Sequence, residues 1–549
     1  MTDQLKLEDV QDVFKKSDDE IIKFFDAFNN LNETTTSFAG TKIEALTELR
    51  HLILSKQDNC ELIGVLLKTI RLFSRDKTRG ETFFELEEIC DLIFSYAGLV
   101  RREDCLRHTP AIVEAAKCLV NGVFHSQRMR NRMKHHTTIG EILLKYQSEF
   151  EESRRQQSEK QWIRDMTRDE ADSVWFLYMR VAFVTTALEL HIRDQWAARS
   201  GALDHMLVAI DVMMAAEKPT EKDMERSSEA LKTIFNVYCH MGPVCVEEDE
   251  ARRANETFAK VIIDEHKVLN MELRKLAINA IAVPPIPFSD DIIFGRKKGK
   301  EAATSSSKPE EFDDMTFTDA LLDCLIDSLN EITDVTGEGG KAADLLGPTF
   351  QCLIKMCDAN KFARRRIRMR VLPPLEAKDV QKLPEEGDDI RGKLIRMMGL
   401  PSVTKDVISE FLFVVCKKSV NRMIKYTGFG HSAGLLANCG LLGQVNQPKR
   451  DSDSEDSDTE DYNQIKDSVN PVTGSVWQKQ MLESAFEGMS DEQKEYEAMK
   501  LVEAMSKMMD CGIVKPGTIG DDGKLREVSH VLELVKNAPE KEGSDEEED

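Results

Sequence analysis

The 549-residue chain is poor in aromatics, at 7% with 4 Trp, and poor in cations, with 74 Lys and Arg against 98 Asp and Glu. Few aromatics disfavour a β-sandwich, whose strands draw on them. The net charge of −24 argues against a general affinity for nucleic acid, because nonspecific binding needs clustered cations to displace counterions from phosphates. No apolar run approaches the roughly 18 residues needed to cross a bilayer. The start, MTDQLKLEDVQDVFKKSDDE, is too acidic and polar for a secretory signal. Thr2 stands where myristoylation needs glycine, and the end, EEED, has no prenylation box. The expectation is a protein of the cytoplasm or nucleus without a transmembrane segment. The 12 cysteines are scattered; those such as Cys118, Cys324 and Cys416, inside apolar helical patterns, read as small buried hydrophobes in a reducing compartment.

Enzyme chemistry is also scarce. Gly430-His431-Ser432-Ala433-Gly434 fits the G-x-S-x-G elbow, but that motif needs a preceding strand and a later acid and His, and only His530 follows. A tight turn between helices is the simpler reading. Gly428 and Gly430 do not continue as G-x-G-x-x-G, and Cys239, His240 and Cys245 lack a second pair of metal ligands. No catalytic residue, cofactor or metal is expected.

What is present is helical periodicity. The stretches 62–73, 111–124, 228–238, 271–283 and 407–417 are apolar over most of the helix surface, as in helices buried centrally. In three of them a Lys precedes an Asn by four residues: Lys117/Asn121, Lys232/Asn236 and Lys275/Asn279. The last two pairs are 43 residues apart, within the roughly 40–47 of armadillo or HEAT repeats, and the first lies 115 residues earlier, between two and three such units. The fold expected is all-α: an armadillo/HEAT-like α-solenoid over 1–440, interrupted by a Pro-rich polar loop at 284–313. An acidic linker at 441–475, a helical segment at 476–535 and an acidic tail at 536–549 follow. Seven of the twelve residues in 451–462 and seven of the ten in 540–549 are acidic. Such runs read as solvated linker and tail.

An Asn repeated on the innermost helices either caps or kinks them, or forms a ladder along a concave face. Its amide presents a donor and an acceptor together, a pair that holds the backbone of a bound peptide. Around it lie Arg71 and Arg75, one helical turn apart, and Phe235 beside Asn236. Such a groove suits a chain end with a carboxylate and apolar side chains. The densest basic cluster is KFARRRIRMR at 361–370, in which Lys361, Arg364, Arg365 and Arg368 share one helical face. It reads as a nuclear-localisation signal, a solvated helix end or a carboxylate-binding wall. Further on, Ser490 and Gln493 form a capping box ahead of the stripe Ala498, Leu501, Val502, Met505, Met508 and Met509, with Gly512 and Pro516 as stops. That amphipathic helix packs on the solenoid or docks on a partner. Ser452 and Ser457 are each followed at +3 by a carboxylate, Glu455 and Glu460, the spacing favoured by acidophilic casein-type kinases.

The segment 406–438, DVISEFLFVVCKKSVNRMIKYTGFGHSAGLLAN, together with SDTEDY, VNPVTG at 469–474 and EGMSDEQKEYEAMKLV at 487–502, closely resembles the synembryns. These are cytosolic chaperones and exchange factors for heterotrimeric G-protein α subunits (Gα). The resemblance spans about 60–540 and is strongest after 390. It implies an armadillo/HEAT-like solenoid that binds GDP-loaded or nascent Gα, promotes GDP release and holds the nucleotide-free form. It also implies recruitment to the cell cortex and the inner face of the plasma membrane, and phosphorylation in the acidic segment. In the family the Gα C-terminal helix docks on the concave surface and residues after the solenoid grip the Ras-like domain. By similarity, through VLLKTIRLFSRD, AAKCLVN, ALKTIFN and the register set by VLPPL, the peptide-end contacts fall on Arg71, Arg75, Asn121, Phe235, Asn236, Lys361 and Arg365. The ladder extends them to Asn279. The family usually has another residue at Ser432. The alternative class is an armadillo-type adaptor that binds extended peptides and leaves nucleotide exchange unchanged.

Overall fold

The computed structural model describes residues 4–100, 108–136, 138–154, 163, 165–199, 202–240, 248–283, 315–332, 345–399, 404–445 and 458–476, and beyond these only short pieces within 489–500, 517–519 and 525–527. Helices start where the sequence supplies caps. Ser17 with Glu20 and Thr167 with Glu170 are capping boxes, and Asn59, Asp76, Asn270 and Asn360 accept from backbone N–H groups of the first turn.

The helices form two rows. In the first, Asp18–Leu31, Cys60–Phe73, Thr109–His125, Arg168–Leu188, Glu221–His240, Met271–Ala282, Gly347–Ala359 and Thr404–Val415 each pack on the next. The second row runs alongside through Leu7–Phe14, Ile43–Ser55, Glu87–Tyr96, Ile139–Arg154, Asp204–Met214, Glu248–Ile263, Thr316–Glu331 and Lys361–Val371, with short helices between. This is an α-solenoid, as expected: each helix pair buries its apolar faces only against its neighbours. First-row helices are covered from more than one side, which is why they are apolar nearly all round. Cys60–Phe73 buries Leu62, Ile63, Leu66, Leu67, Ile70, Leu72 and Phe73, and each such side chain contributes about 1.5–3 kcal/mol by leaving water.

The repeats are longer than the 43-residue interval suggests. One first-row helix, Arg168–Leu188, stands between those that carry Asn121 and Asn236, so 115 residues is two repeats. The added length lies in second-row insertions such as Gln127–His135 beside Ile139–Arg154. No single helix among the described residues is long and apolar enough to cross a membrane; Arg168–Leu188 and Leu190–Ala197 pass only as a pair, and they bend by 104°. Cys118, Cys324 and Cys416 are buried free thiols, and burial pushes Cys324 up to about 11.

The chain divides into a unit of 1–466 with 471–475 and a second of 467–470 with 476–549. Within the stretch 441–475, read as linker, Leu442–Gln444 forms a short 3-10 helix and the residues from Asp458 onward make defined contacts. Thr459 caps the Glu460–Ile465 helix and donates its hydroxyl to the Leu375 carbonyl at 2.6 Å; Asp458 pairs with Lys425 at 2.6 Å; Tyr462 is buried. The PVTG residues then reach back: the Phe429 and Gly430 N–H groups donate to the carbonyls of Pro471 and Val472 at 2.9 and 3.0 Å. These bonds satisfy the open first turn of the Phe429–Asn438 helix. Gly428 (φ +76°) and Gly474 (φ +73°) make the approach feasible. A Cβ on Gly428 would lie 3.0 Å from the Thr473 backbone, and one on Gly474 would lie 2.8 Å from Pro384.

Gly430-His431-Ser432-Ala433-Gly434 is therefore not a turn; it forms part of the Phe429–Asn438 helix, and Gly428 is the turn before it. The Ser432 hydroxyl is fully buried and donates to the Gly428 carbonyl at 3.1 Å. In the second unit the Ser490–Gln493 capping box is present, with reciprocal bonds of 3.2 Å. Tyr496 and Met499 are exposed, and Ala498, Leu501, Val502, Met505, Met508 and Met509 lie outside the described residues. The helical reading of 476–535 needs correction at its end, where Gly517–Ile519 and Leu525–Glu527 pair as an antiparallel hairpin. The loop 284–313 and the acidic tail lie outside the described residues.

Candidate functional site

The predicted residues collect toward the C-terminal ends of first-row helices. Arg71 is not a surface cation. It is 7% exposed, with Nε 2.6 Å from the Glu114 carboxylate on the next first-row helix and a terminal nitrogen 2.8 Å from Glu33. Arg75, about a quarter exposed, donates to the carbonyls of Glu33 and Thr35 at 2.5 and 3.2 Å. Burial of Glu33 opposes its ionised form, but its hydrogen bond to Arg71 and the charges of Arg71, Lys68 and Arg75 outweigh that and hold its carboxyl below the usual range. The two arginines thus tie the first repeats together.

The asparagines repeat one local arrangement. Asn121 donates Nδ2 to the Ser74 hydroxyl at 2.9 Å and to the Arg71 carbonyl at 3.4 Å. Asn236 donates Nδ2 to the Phe183 carbonyl and the Thr186 hydroxyl, both at 3.2 Å. Each amide reaches back to a carbonyl of the preceding first-row helix and to the hydroxyl three residues after it. The donor is consumed within the fold, and Oδ1 makes no hydrogen bond to the described residues. The ladder therefore offers acceptors only, so it favours a ligand that brings N–H groups. The repeating unit is wider than Lys and Asn. A Glu precedes each Lys by three, and Glu114 bonds Lys117 at 2.9 Å while Glu229 bonds Lys232 at 3.2 Å. Each also reaches an arginine of the previous first-row helix, Glu114 to Arg71 and Glu229 to Arg180 at 3.9 Å. Glu272-Lys275-Asn279 has the same spacing, but Lys275 turns to Glu331 at 3.4 Å. The Glu position was visible in the sequence at constant spacing; its cross-helix partner was not.

Replacing Asn236 with Ala is expected to cost about 1 kcal/mol, since it leaves the buried Thr186 hydroxyl one partner short. A urea titration that shows no change in midpoint would remove the structural role of the amide.

Phe235 and Asn279 are half-buried on their helices. Lys361 and Arg365 stand apart. Their helix, Lys361–Val371, packs on Gly347–Ala359, Thr316–Glu331 and Thr404–Val415. Both are exposed; Lys361 lies 5.1 Å from the Phe362 ring, and Arg365 has no ion pair among the described residues. The face expected for this helix is split by burial. Arg368 is 5% exposed and turned toward the Tyr426 hydroxyl, while Arg366 and Arg370 hold Asp319 and Asp323. Ser452 and Ser457 lie outside the described residues.

The sequence profile of a family described as guanine nucleotide exchange factor synembryn (Ric8) matches residues 66–524. The chain is 45% identical to chaperone ric-8 of Caenorhabditis briggsae over the whole of both chains, and 43% identical to chaperone ric-8 of Caenorhabditis elegans over 98% of each. It is 31% identical to chaperone Ric-8A of Danio rerio over 92% of each.

Proposed function

The chain belongs to the synembryn family, and on that premise we propose that it is a folding chaperone and guanine nucleotide exchange factor for heterotrimeric Gα subunits, active in the cytoplasm and at the cell cortex. The C-terminal helix of Gα docks on the first row, with its terminal carboxylate taken by Lys361 and Arg365 of the second-row helix Lys361–Val371, its apolar side chains by Phe235 and its side-chain N–H donors by the asparagine acceptors. The observation that carries this reading is the family match across 66–524, which includes both the first-row motifs and the C-terminal motifs that a passive adaptor lacks. The mechanism is differential binding. A factor that favours the Gα state with its C-terminal helix displaced weakens nucleotide by the same free energy, and no bond is broken. Each ~1.4 kcal/mol of that coupling is tenfold in GDP affinity, so efficient release needs several.

Phosphorylation of Ser452 and Ser457 by an acidophilic casein-type kinase regulates this activity in the same proposal. Each phosphate adds about −1.5 to −2 charges. The residue after Ser457, Asp458, pairs with Lys425 and Lys466 at 2.6 and 3.9 Å, so a phosphate on Ser457 would compete with that carboxylate for the same two cations.

One experiment tests both levels. The full chain is expected to accelerate GDP release from purified Gα; an unchanged rate favours the adaptor. Kinase treatment is expected to raise the rate further in the wild type and not in Ser452→Ala/Ser457→Ala, with equal basal rates. Equal stimulation of both removes the phosphorylation step alone.

A further inference from the structure

Toward the N-terminal ends of the same helices, and sharing Glu114 and Lys117 with the motif described above, we propose a second docking site: a groove for a cationic, amphipathic segment of a partner protein other than the Gα chain end. A groove of about 900 Å³ crosses Asp18–Leu31, Cys60–Phe73, Thr109–His125, Arg168–Leu188 and Glu221–His240. Its floor is apolar, with Val65, Val113 and Phe176 among the lining. Four carboxylates on its walls, Asp26, Glu61, Asp169 and Glu225, make no ion pair or hydrogen bond to the described residues.

The cations in the groove do not balance them. Lys68 is 3.5 Å from Glu33 and Lys117 is 2.9 Å from Glu114, so both are already taken, and Lys222 alone is unpaired. Helix ends account for half of the acids. Glu61 and Asp169 occupy first turns, where a carboxylate offsets the helix dipole. Asp26, in the middle of its helix, and Glu225, beyond the first turn of Glu221–His240, gain nothing from that source. An apolar floor under unspent negative charge repels nucleic acid and anionic lipid. It suits a segment whose Lys or Arg heads meet the carboxylates while their alkyl stems and apolar neighbours cover the floor.

The test uses the full chain and two labelled synthetic peptides of equal length, one of Leu and Lys and one of Leu and Glu, each patterned as an amphipathic helix, followed by fluorescence anisotropy. The Leu/Lys peptide is expected to bind with an affinity that falls as salt rises, and the Leu/Glu peptide not to bind. Asp26→Asn/Asp169→Asn/Glu225→Gln is expected to weaken the Leu/Lys peptide by about tenfold or more. Removing the same number of carboxylates from the tail, Glu546→Gln/Glu547→Gln/Glu548→Gln, is expected to leave affinity unchanged, which separates a site from diffuse attraction to an acidic protein. Should the groove triple variant melt early, the exposed single change Glu225→Gln carries the test, with a loss of about threefold expected. Equal binding of the two peptides, equal loss in groove and tail variants, or no loss from groove variants with unchanged melting overturns the proposal.

Discussion

Arg71→Glu is expected to destabilise the first repeats by about 3–5 kcal/mol, because it removes one of the two cationic partners of a largely buried carboxylate and adds another negative charge beside it. Glu114 is only 12% exposed in its side chain and meets Arg71 at 2.6 Å; Glu33 is 2.8 Å away on the other side. Arg71→Lys retains the charge but loses the fork that bridges the Thr109–His125 helix and the turn at Glu33, and a smaller cost of about 1–2 kcal/mol is expected. Hydrogen exchange across 18–125 distinguishes this from a pure recognition defect. Faster exchange in Arg71→Glu marks a tie within the fold, whereas native exchange with lost Gα binding returns Arg71 to the ligand surface. Acid should act in the same direction. The Glu33 carboxyl is held below its ordinary value, so the stability it contributes is present above the unfolded value of about 4.3 and is lost as pH falls through the lower folded value.

The second large effect is expected on binding rather than stability. Lys361→Glu with Arg365→Glu reverses two exposed charges with no ion pair among the described residues, so the melting temperature should move little. If these cations take the Gα chain end, two charge-assisted contacts of about 1.5–3 kcal/mol each are lost, and Gα affinity should fall about a hundredfold or more. A Gα truncated by its last residues should bind wild type and variant alike. Undiminished affinity of the variant for intact Gα removes Lys361 and Arg365 from the site.

The first row was legible in the sequence because a helix covered from several sides must be apolar nearly all round, as 62–73 and 407–417 are. Repeat length was less so: the Lys/Asn interval of 43 residues measures one short repeat, while the insertions around Gln127–His135 lengthen others without altering the first-row pattern. Residue types located the asparagines and Arg71, but their partners come from different helices, 50 residues away for Asn121 and Arg71 and 43 for Arg71 and Glu114. Spacing along one helix carries no information about such cross-helix bonds. The G-x-S-x-G pattern failed for the reverse reason. Its residue types matched, but a helix whose first N–H groups are met by Pro471 and Val472 needs no strand-to-helix elbow.

Those two backbone bonds also bear on proteolysis. The polypeptide beyond the acidic run is held to the solenoid by the Leu375 carbonyl, by Lys425, by burial of Tyr462 and by the first turn of Phe429–Asn438. A cut anywhere in 446–457 would therefore sever the covalent path without releasing the downstream fragment. Two pieces would migrate separately on a denaturing gel while still eluting together from a sizing column, so loss of intact chain on the gel would overstate the loss of working protein.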